Sequence, residues 1–385
     1  LRNFFAALLV VSIASSIFAG GKSKLLQKSP GDIFSAKLTG SGLLVVNETT
    51  AELIDIRGTG VTQHYGNLPQ ISGNQRMVFS SSGSYAMILT FKGAGDYYQA
   101  ERAEIVSTRD GTFIRSFENP GFNDALISDD GKVVVGIFRN INTAENSQLL
   151  FYYQNNQLLK KVSLPIITEA KLGYLGGVVG VISGAKGLVF FSYDGTQIAE
   201  FGRCQSFDFT NNIQLAELPS VTSCVYADGN KIGFYSQYKG DIKWEKSFGD
   251  EIIREVTLQS VAGNFLAMSK HHLYFIKGAT GELMWSHSVE PPMSLTSCDI
   301  SGGADTYIAW GWEIDEGRKA HPFERHTKGG YSMGIREYGR SKFIVQSEDL
   351  SYSAWNIYTP KVEFQRFGLL IQTMDEVRFL NIKTR

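Results

Sequence analysis

The side chains able to do chemistry are few and scattered. Six histidines occur: His64, His271, His272, His287, His321 and His326. His321 and His326 flank a carboxylate in the run His321-Pro322-Phe323-Glu324-Arg325-His326. Two imidazoles and a carboxylate can meet a metal ion, but Pro322 keeps a regular helix from presenting them together. No metal-ligand motif is matched, so they read as solvated loop residues. His271 and His272 precede an apolar run, and neighbours in a strand point to opposite faces, a poor arrangement for one shared ion. Asp-Gly pairs such as Asp130-Gly131 lack the further ligands of a calcium loop and read as turns. Gly173-Tyr174-Leu175-Gly176-Gly177 leads into a strand, without the helix N-terminus a phosphate loop needs. No Gly-x-Ser-x-Gly elbow occurs. No catalytic, cofactor-binding or metal residue is assigned, and no cofactor is expected.

Cysteine offers two readings. The chain has three, Cys204, Cys224 and Cys298, and no Cys-x-x-Cys. Cys204 and Cys224 are spaced for neighbouring strands of one sheet and could pair in an oxidising compartment. Alternatively all three are buried thiols packing as small hydrophobes.

One region is unusual in composition. Trp310-Gly311-Trp312 leads into a segment with Arg318, His321, Phe323, Arg325 and His326. Aromatic and arginine side chains dominate binding hot spots, and long loops on rigid scaffolds often carry function. Residues 313–330 are expected as an inserted loop. Trp312, Arg318, His321, Phe323, Arg325 and His326 form its partner-binding candidates. The competing reading is a core Trp310 followed by a solvated excursion.

The elements that would hold these residues are almost all strands. Runs rich in Val, Ile, Leu, Phe and Tyr are bounded by Gly, Asp, Asn and Ser, the strand-and-turn signature. Examples are Leu43-Leu44-Val45-Val46, Val133-Val134-Val135-Gly136-Ile137-Phe138 and Leu188-Val189-Phe190-Phe191. Hairpins recur: an apolar strand, a tight turn, then a more polar strand. Turns at Gly60, Gly111, Asn156, Gly195, Gly240 and Gly281 return about every 44 residues. A repeat of roughly 40–50 residues with four short strands is the pattern of a β-propeller blade. The expected fold is all-β: a β-propeller of eight blades, each of four antiparallel strands. Seven blades is the alternative, because residues 294–359 are weakly patterned. Two packed β-sandwiches is the runner-up architecture. Near the C-terminus three strands lie around Val362–Phe367, Leu369–Thr373 and Val377–Ile382. The missing fourth is expected from the N-terminal run Leu25-Leu26-Gln27-Lys28, closing the last blade and covering a sheet edge.

Two units carry a recognisable pattern, an apolar strand followed by Thr-Gly-x-x-x-Trp. Tyr274-Phe275-Ile276-Lys277-Gly278-Ala279-Thr280-Gly281-Glu282-Leu283-Met284-Trp285 fits, and Phe234 to Trp244 fits with Lys239 in place of Thr. This resembles the repeat of the quinoprotein-like (PQQ-type) β-propeller superfamily, over about two blades. The resemblance implies a propeller in which Trp docks one blade on the next. It also implies one of two roles: quinone-dependent dehydrogenase or non-enzymatic scaffold. The dehydrogenases carry adjacent cysteines and a calcium site, and neither pattern occurs here. The non-enzymatic branch is therefore the expectation.

The N-terminus and the composition frame the function. Arg2 precedes the apolar run Phe4–Ile13, and small residues end at Ala19-Gly20. That is the form of a secretory signal, expected over residues 1–19, with residues 20–385 as a single propeller. A secreted or periplasmic location follows, with no transmembrane segment in the mature chain, since no other run approaches about 20 apolar residues. Lys plus Arg total 37 and Asp plus Glu total 38, a formal net charge of −1. Nucleic-acid binding, which calls for a basic excess, is not expected. The expected function is a binding or assembly scaffold for a protein or cell-envelope component. The alternative is an enzyme using the central channel, quinone-dependent or acting on a polysaccharide.

Overall fold

The computed structural model describes residues 23–28, 33–38, 43–47, 51–54, 62–64, 74–92, 99–109, 111–139, 147–173, 176–211, 221–237, 242–259, 263–301, 306–314, 325–336, 344–354, 360–365, 368–373 and 376–382. The predicted signal falls outside them. Strand is almost the whole content, apart from a short 3₁₀ turn at Gly184–Lys186. No helix among the described residues is long and apolar enough to cross a membrane.

The first strand among the described residues is β1 (Lys24–Lys28). Four strands then form a sheet in sequence order: β2 (Ile33–Leu38), β3 (Leu43–Asn47), β4 (Ala51–Ile54) and β5 (Thr62–His64). The plan repeats in β6 (Gln75–Phe79), β7 (Tyr85–Phe91), β8 (Ala100–Ser107) and β9 (Phe113–Glu118). It repeats again in β10 (Asp124–Ile127), β11 (Val134–Phe138), β12 (Ser147–Tyr153) and β13 (Gln157–Leu164). The next sheet holds β14 (Ile167–Leu172), β15 (Val178–Ser183), β16 (Gly187–Ser192) and β17 (Gln197–Phe201). Then come β18 (Ser206–Asn211), β19 (Val221–Asp228), β20 (Lys231–Ser236) and β21 (Ile242–Ser247). After them stand β22 (Glu255–Leu258), β23 (Phe265–Met268), β24 (His272–Lys277) and β25 (Glu282–Ser288). The seventh run is β26 (Met293–Ile300), β27 (Thr306–Ile314), β28 (Arg325–Arg336) and β29 (Ile344–Ala354). The chain ends on β30 (Lys361–Gln365), β31 (Gly368–Gln372) and β32 (Glu376–Asn381). All described pairings are antiparallel, the arrangement that short turns between consecutive strands allow.

The turns form where the residues permit a left-handed backbone. Gly195 (φ 80°) and Gly281 (φ 64°) close the third-to-fourth hairpins of their sheets, and Asn155 and Asn156 do the same work between β12 and β13. Glycine and asparagine tolerate that region best.

The chain divides into two compact units, residues 32–286 and residues 1–31 with 287–385. In the first, each core is shared between consecutive sheets. Phe117 of β9 meets Phe122 and Tyr152 of the following four-strand repeat edge-on. Val135 and Phe151 pack with Val179 and Phe191. Phe190 packs with Phe207 and Cys224, and Phe234 with Phe265 and Ile276. No four-stranded sheet can bury both its faces alone, so this face-to-face sharing supplies the core.

The second unit explains the poorly patterned stretch. Residues 294–359 do hold a four-stranded sheet, built on long strands. Of the expected inserted loop, residues 313–314 and 325–330 are strand and residues 315–324 lie outside the described residues: β27 runs to Ile314 and β28 starts at Arg325, paired from Ile314↔Lys328 to Thr306↔Arg336. The expected N-terminal contribution is present. β1 pairs antiparallel with β32, Lys24 opposite Phe379 and Lys28 opposite Glu376. Just before it, the Ser23 amide donates to Glu348 Oε2 at 2.8 Å, and the Tyr331 hydroxyl donates to the same oxygen at 2.7 Å. Arg378 stands 3.8 Å from the other oxygen. Burial raises the Tyr331 pKa, and its bond to Glu348 adds to that.

Candidate functional site

Among the described residues, two first strands carry polar side chains that link one sheet to the next. Their side chains reach across to backbone groups of the next first strand. On β18, Ser206 Oγ accepts the Val256 amide at 3.2 Å and Asp208 Oδ2 accepts the Leu258 amide at 2.8 Å, both on β22. The second unit repeats the device. On β26, Ser297 Oγ accepts the Val362 amide at 3.0 Å and Asp299 Oδ2 accepts the Phe364 amide at 2.5 Å, both on β30. A Ser-x-Asp sequence places both acceptors on one face of a strand, at its period of two. Between β10 and β14 the link comes from Arg139, whose Nε donates to Ile167 O at 3.1 Å while Nη1 pairs with Asp124. Arg76 on β6 lies 3.5 Å from that same carboxylate.

Where β6, β10, β14 and β18 end, they surround a concavity of about 300 Å³. Phe79, Leu126, Leu172 and Phe209 give it apolar walls, and Ser81, Lys171 and Asp208 give it polar groups. Lys171 Nζ donates to Phe207 O at 2.6 Å and lies 3.2 Å from Glu169. Asp208 Oδ1 is 4.0 Å from it, beyond hydrogen-bond reach. Burial would lower the lysine pKa, but Asp208, Glu169 and Glu255 outweigh it, and the ammonium is held above its ordinary value. Burial lifts the Asp208 carboxyl above the usual aspartate range, against the pull of Lys171 and of the Leu258 and Phe209 amides. The arrangement offers one fixed donor and one fixed acceptor against apolar carbon, which is the chemistry of a binding pocket.

A second polar cluster lies elsewhere in the same unit. Glu251, between β21 and β22, accepts from Ser269 Oγ at 2.6 Å and from the His271 amide at 3.0 Å. His271 Nδ1 is 2.5 Å from its other oxygen, and His272 Nδ1 is 3.4 Å from Oε2. Burial alone would raise the Glu251 pKa, but these bonds overturn it and bring the carboxyl down to about 2. Among the described residues, no group of three or more His, Cys, Asp or Glu is placed to hold a metal ion.

Of the sequence candidates, Trp312, Arg325 and His326 fall on described residues. Trp312 is on β27, buried, opposite Leu295 and Gly330. A Cβ on Gly330 would fall 2.5 Å from its ring, so the glycine makes room for it. Trp312 is thus a strand residue. Arg325 and His326 belong to β28, opposite Ala354 and Ser353. Arg318, His321 and Phe323 lie outside the described residues. His287 sits 4.9 Å from Trp310, ring to ring, and burial lowers its pKa. Cys204 and Cys224 are separate thiols. Register sets Cys224 opposite Phe209, while Cys204 lies beyond Ser206, five positions from Phe209. Their backbones are not juxtaposed as a disulfide requires.

The Ser-x-Asp pairs and Lys171 escape motif reading. A signal existed: Ser206-Phe207-Asp208 and Ser297-Cys298-Asp299 hold equivalent places in two repeats.

No family model matches the chain, and no curated protein does. Solved structures do. The BamB structure from Moraxella catarrhalis is 12% identical, with a TM-score of 0.53, covering 95% of this chain and 99% of that one. The C-terminal WD40 domain of Sif2 is 11% identical, with a TM-score of 0.55, covering 94% and 99%. The WD40 repeats of RRP9 are 9% identical, with a TM-score of 0.50, covering 81% and 98%. Likeness at these identities identifies the fold, a β-propeller, and leaves function to the residues of this chain.

Proposed function

We propose that this chain is an exported, non-catalytic β-propeller of eight blades in one ring, which binds a protein or cell-envelope partner as a scaffold. The observation that carries the reading is a track of apolar side chains on the outermost strands. Phe113 on β9, Leu158 on β13, Ile198 on β17 and Leu283 on β25 are between 37% and 53% exposed. Each follows the third-to-fourth turn of its sheet by two or three residues. A repeat that places an exposed apolar residue at the same point in four sheets builds a surface, where scattered ones would not. These strands are also the last in their sheets, so their outer backbone groups are open to a pairing partner. That BamB and WD40 structures share the fold agrees with a scaffold role.

Two experiments test the reading. Changing Phe113, Leu158, Ile198 and Leu283 to Ser together should leave the melting temperature close to that of the unaltered protein. It should abolish crosslinking to the component of a cell-envelope extract that the unaltered protein captures. Capture by both proteins alike would overturn the scaffold surface. Export is read from the mature N-terminus by mass spectrometry: expression of the full chain should yield a protein beginning at Gly20, and a retained leader would overturn it.

A further inference from the structure

The geometry points to the concavity at the ends of β6, β10, β14 and β18 as a binding site for a neutral polyhydroxylated ligand, the terminal sugar of a glycan. This stands apart from the outer-strand track and rests on different residues.

The first argument is the unfilled hydrogen-bonding geometry. Lys171 has three donors; Phe207 O and Glu169 take two at 2.6 and 3.2 Å. The next acceptor, Asp208 Oδ1, stands 4.0 Å away. A hydroxyl group accepts and donates at once, so one placed between them accepts from Lys171 and donates to Asp208. Neighbouring ring hydroxyls can equally divide the two roles. An ammonium and a carboxylate are both strong partners, and charge-assisted bonds exceed neutral ones.

The second argument is charge. Glu169, Asp208 and Glu255 surround the single ammonium of Lys171. An anionic ligand would meet more carboxylate than cation. A cationic ligand would have to sit beside Lys171 itself. A neutral polar ligand avoids both penalties.

The third argument is shape and wall chemistry. About 300 Å³ is the lower end of ligand-pocket volumes, the size for one sugar-sized group. Phe79, Leu126, Leu172 and Phe209 line it. The C–H face of a pyranose is apolar and packs on such walls while its hydroxyls turn to the polar pair. A fully apolar ligand would leave the third Lys171 donor unmatched, with two taken by Phe207 O and Glu169.

The test is a titration of the mature protein, followed by ligand-observed NMR, with glucose, galactose, mannose and N-acetylglucosamine. Citrate and choline serve as the anionic and cationic probes. At least one sugar should saturate with millimolar affinity, as a ligand of about a dozen heavy atoms should. Asp208→Asn and Lys171→Met should each weaken it about tenfold or more. Both residues also hold neighbouring groups, so Ser81→Trp, on the exposed rim, supplies a variant that blocks the pocket without touching them. Ile252→Ser, at an exposed residue outside the lining, should change nothing. Failure of every sugar to saturate, tighter binding of citrate or choline, or sugar binding that survives Ser81→Trp would each overturn the assignment.

Discussion

The Trp244 indole donates its Nε1 hydrogen to the Gly278 carbonyl at 2.7 Å. The bond crosses from the fourth strand of one sheet to the third-to-fourth turn of the next. The ring lies stacked on Phe234, 5.7 Å away, and on Phe265, 6.1 Å away. Lys246 follows it, donating to Thr280 O at 2.7 Å. This is the sheet-to-sheet docking that the Gly-x-x-x-Trp spacing leads one to expect. Trp244→Phe keeps a stacked ring and loses one hydrogen bond, at a cost of about 1 kcal/mol. Trp244→Ala also loses the stacking and leaves a cavity, at a cost of about 3 kcal/mol. Urea unfolding of the two variants should separate these values, and equal losses would show that the bond to Gly278 O contributes nothing.

Glycine supports the same packing from inside the sheets. Gly180 on β15 is so close to its neighbours that a Cβ would fall 2.5 Å from Phe207 and 2.8 Å from Phe190. Both rings are fully buried. Gly180→Ala should therefore destabilise the protein by about 1–3 kcal/mol, through overpacking and not through backbone strain. A Cβ added at Gly202 would meet nothing within 4 Å, and that residue is not held in the left-handed region. Gly202→Ala should be close to neutral in the same unfolding experiment.

These two positions show which parts of the design can be read from a sequence. Strand and turn were legible, because Asp194-Gly195 and Thr280-Gly281 sit between apolar runs at a steady interval. The N-terminal strand was legible because Leu25–Lys28 resembles the fourth strands elsewhere and the last sheet was one strand short. Trp244 was legible through its spacing from Gly240. Arg115 was not, though it stands four residues after Gly111, the place Trp244 holds after Gly240. Its guanidinium donates to the Gly131 and Lys132 carbonyls of the next sheet at 3.0 and 2.9 Å. A planar donor replaces an indole there, and no pattern of apolar residues records the exchange. The concavity was hidden for a related reason. Lys171 and Asp208 are brought together by two different sheets, and local spacing carries no trace of that. At the end of the expected insertion, Gly330 is a strand residue making room for the Trp312 ring, a role that composition does not reveal.

Thiol chemistry separates the two readings of cysteine. Burial lifts the Cys204 pKa to about 12 and pushes Cys224 well above the ordinary value of 9.0. The reactive thiolate of Cys204 is then rarer by about a thousandfold than in an ordinary cysteine. The native protein should react with a disulfide reagent far more slowly than the same chain in denaturant. Unfolded without reductant, it should release three thiol equivalents, for Cys204, Cys224 and Cys298. One equivalent under those conditions would establish a Cys204–Cys224 bond.

Acid should weaken the fold through Glu251. Its carboxyl falls from an ordinary 4.5 to about 2, as bonds from Ser269, His271 and His272 overcome the burial that would raise it. A folded-state pKa below the unfolded one means that the unfolded chain binds the proton more readily. The stabilisation is therefore complete above about pH 4.5 and is lost as the pH falls toward 2. Glu251→Gln preserves an oxygen that can accept from Ser269 Oγ and the His271 amide, but it carries no charge to titrate. Its stability should be lower than that of the unaltered protein at pH 7 and should change less between pH 4.5 and pH 2. Chemical unfolding across that window reads the difference directly, and parallel curves for the two proteins would remove Glu251 as the source of the acid sensitivity.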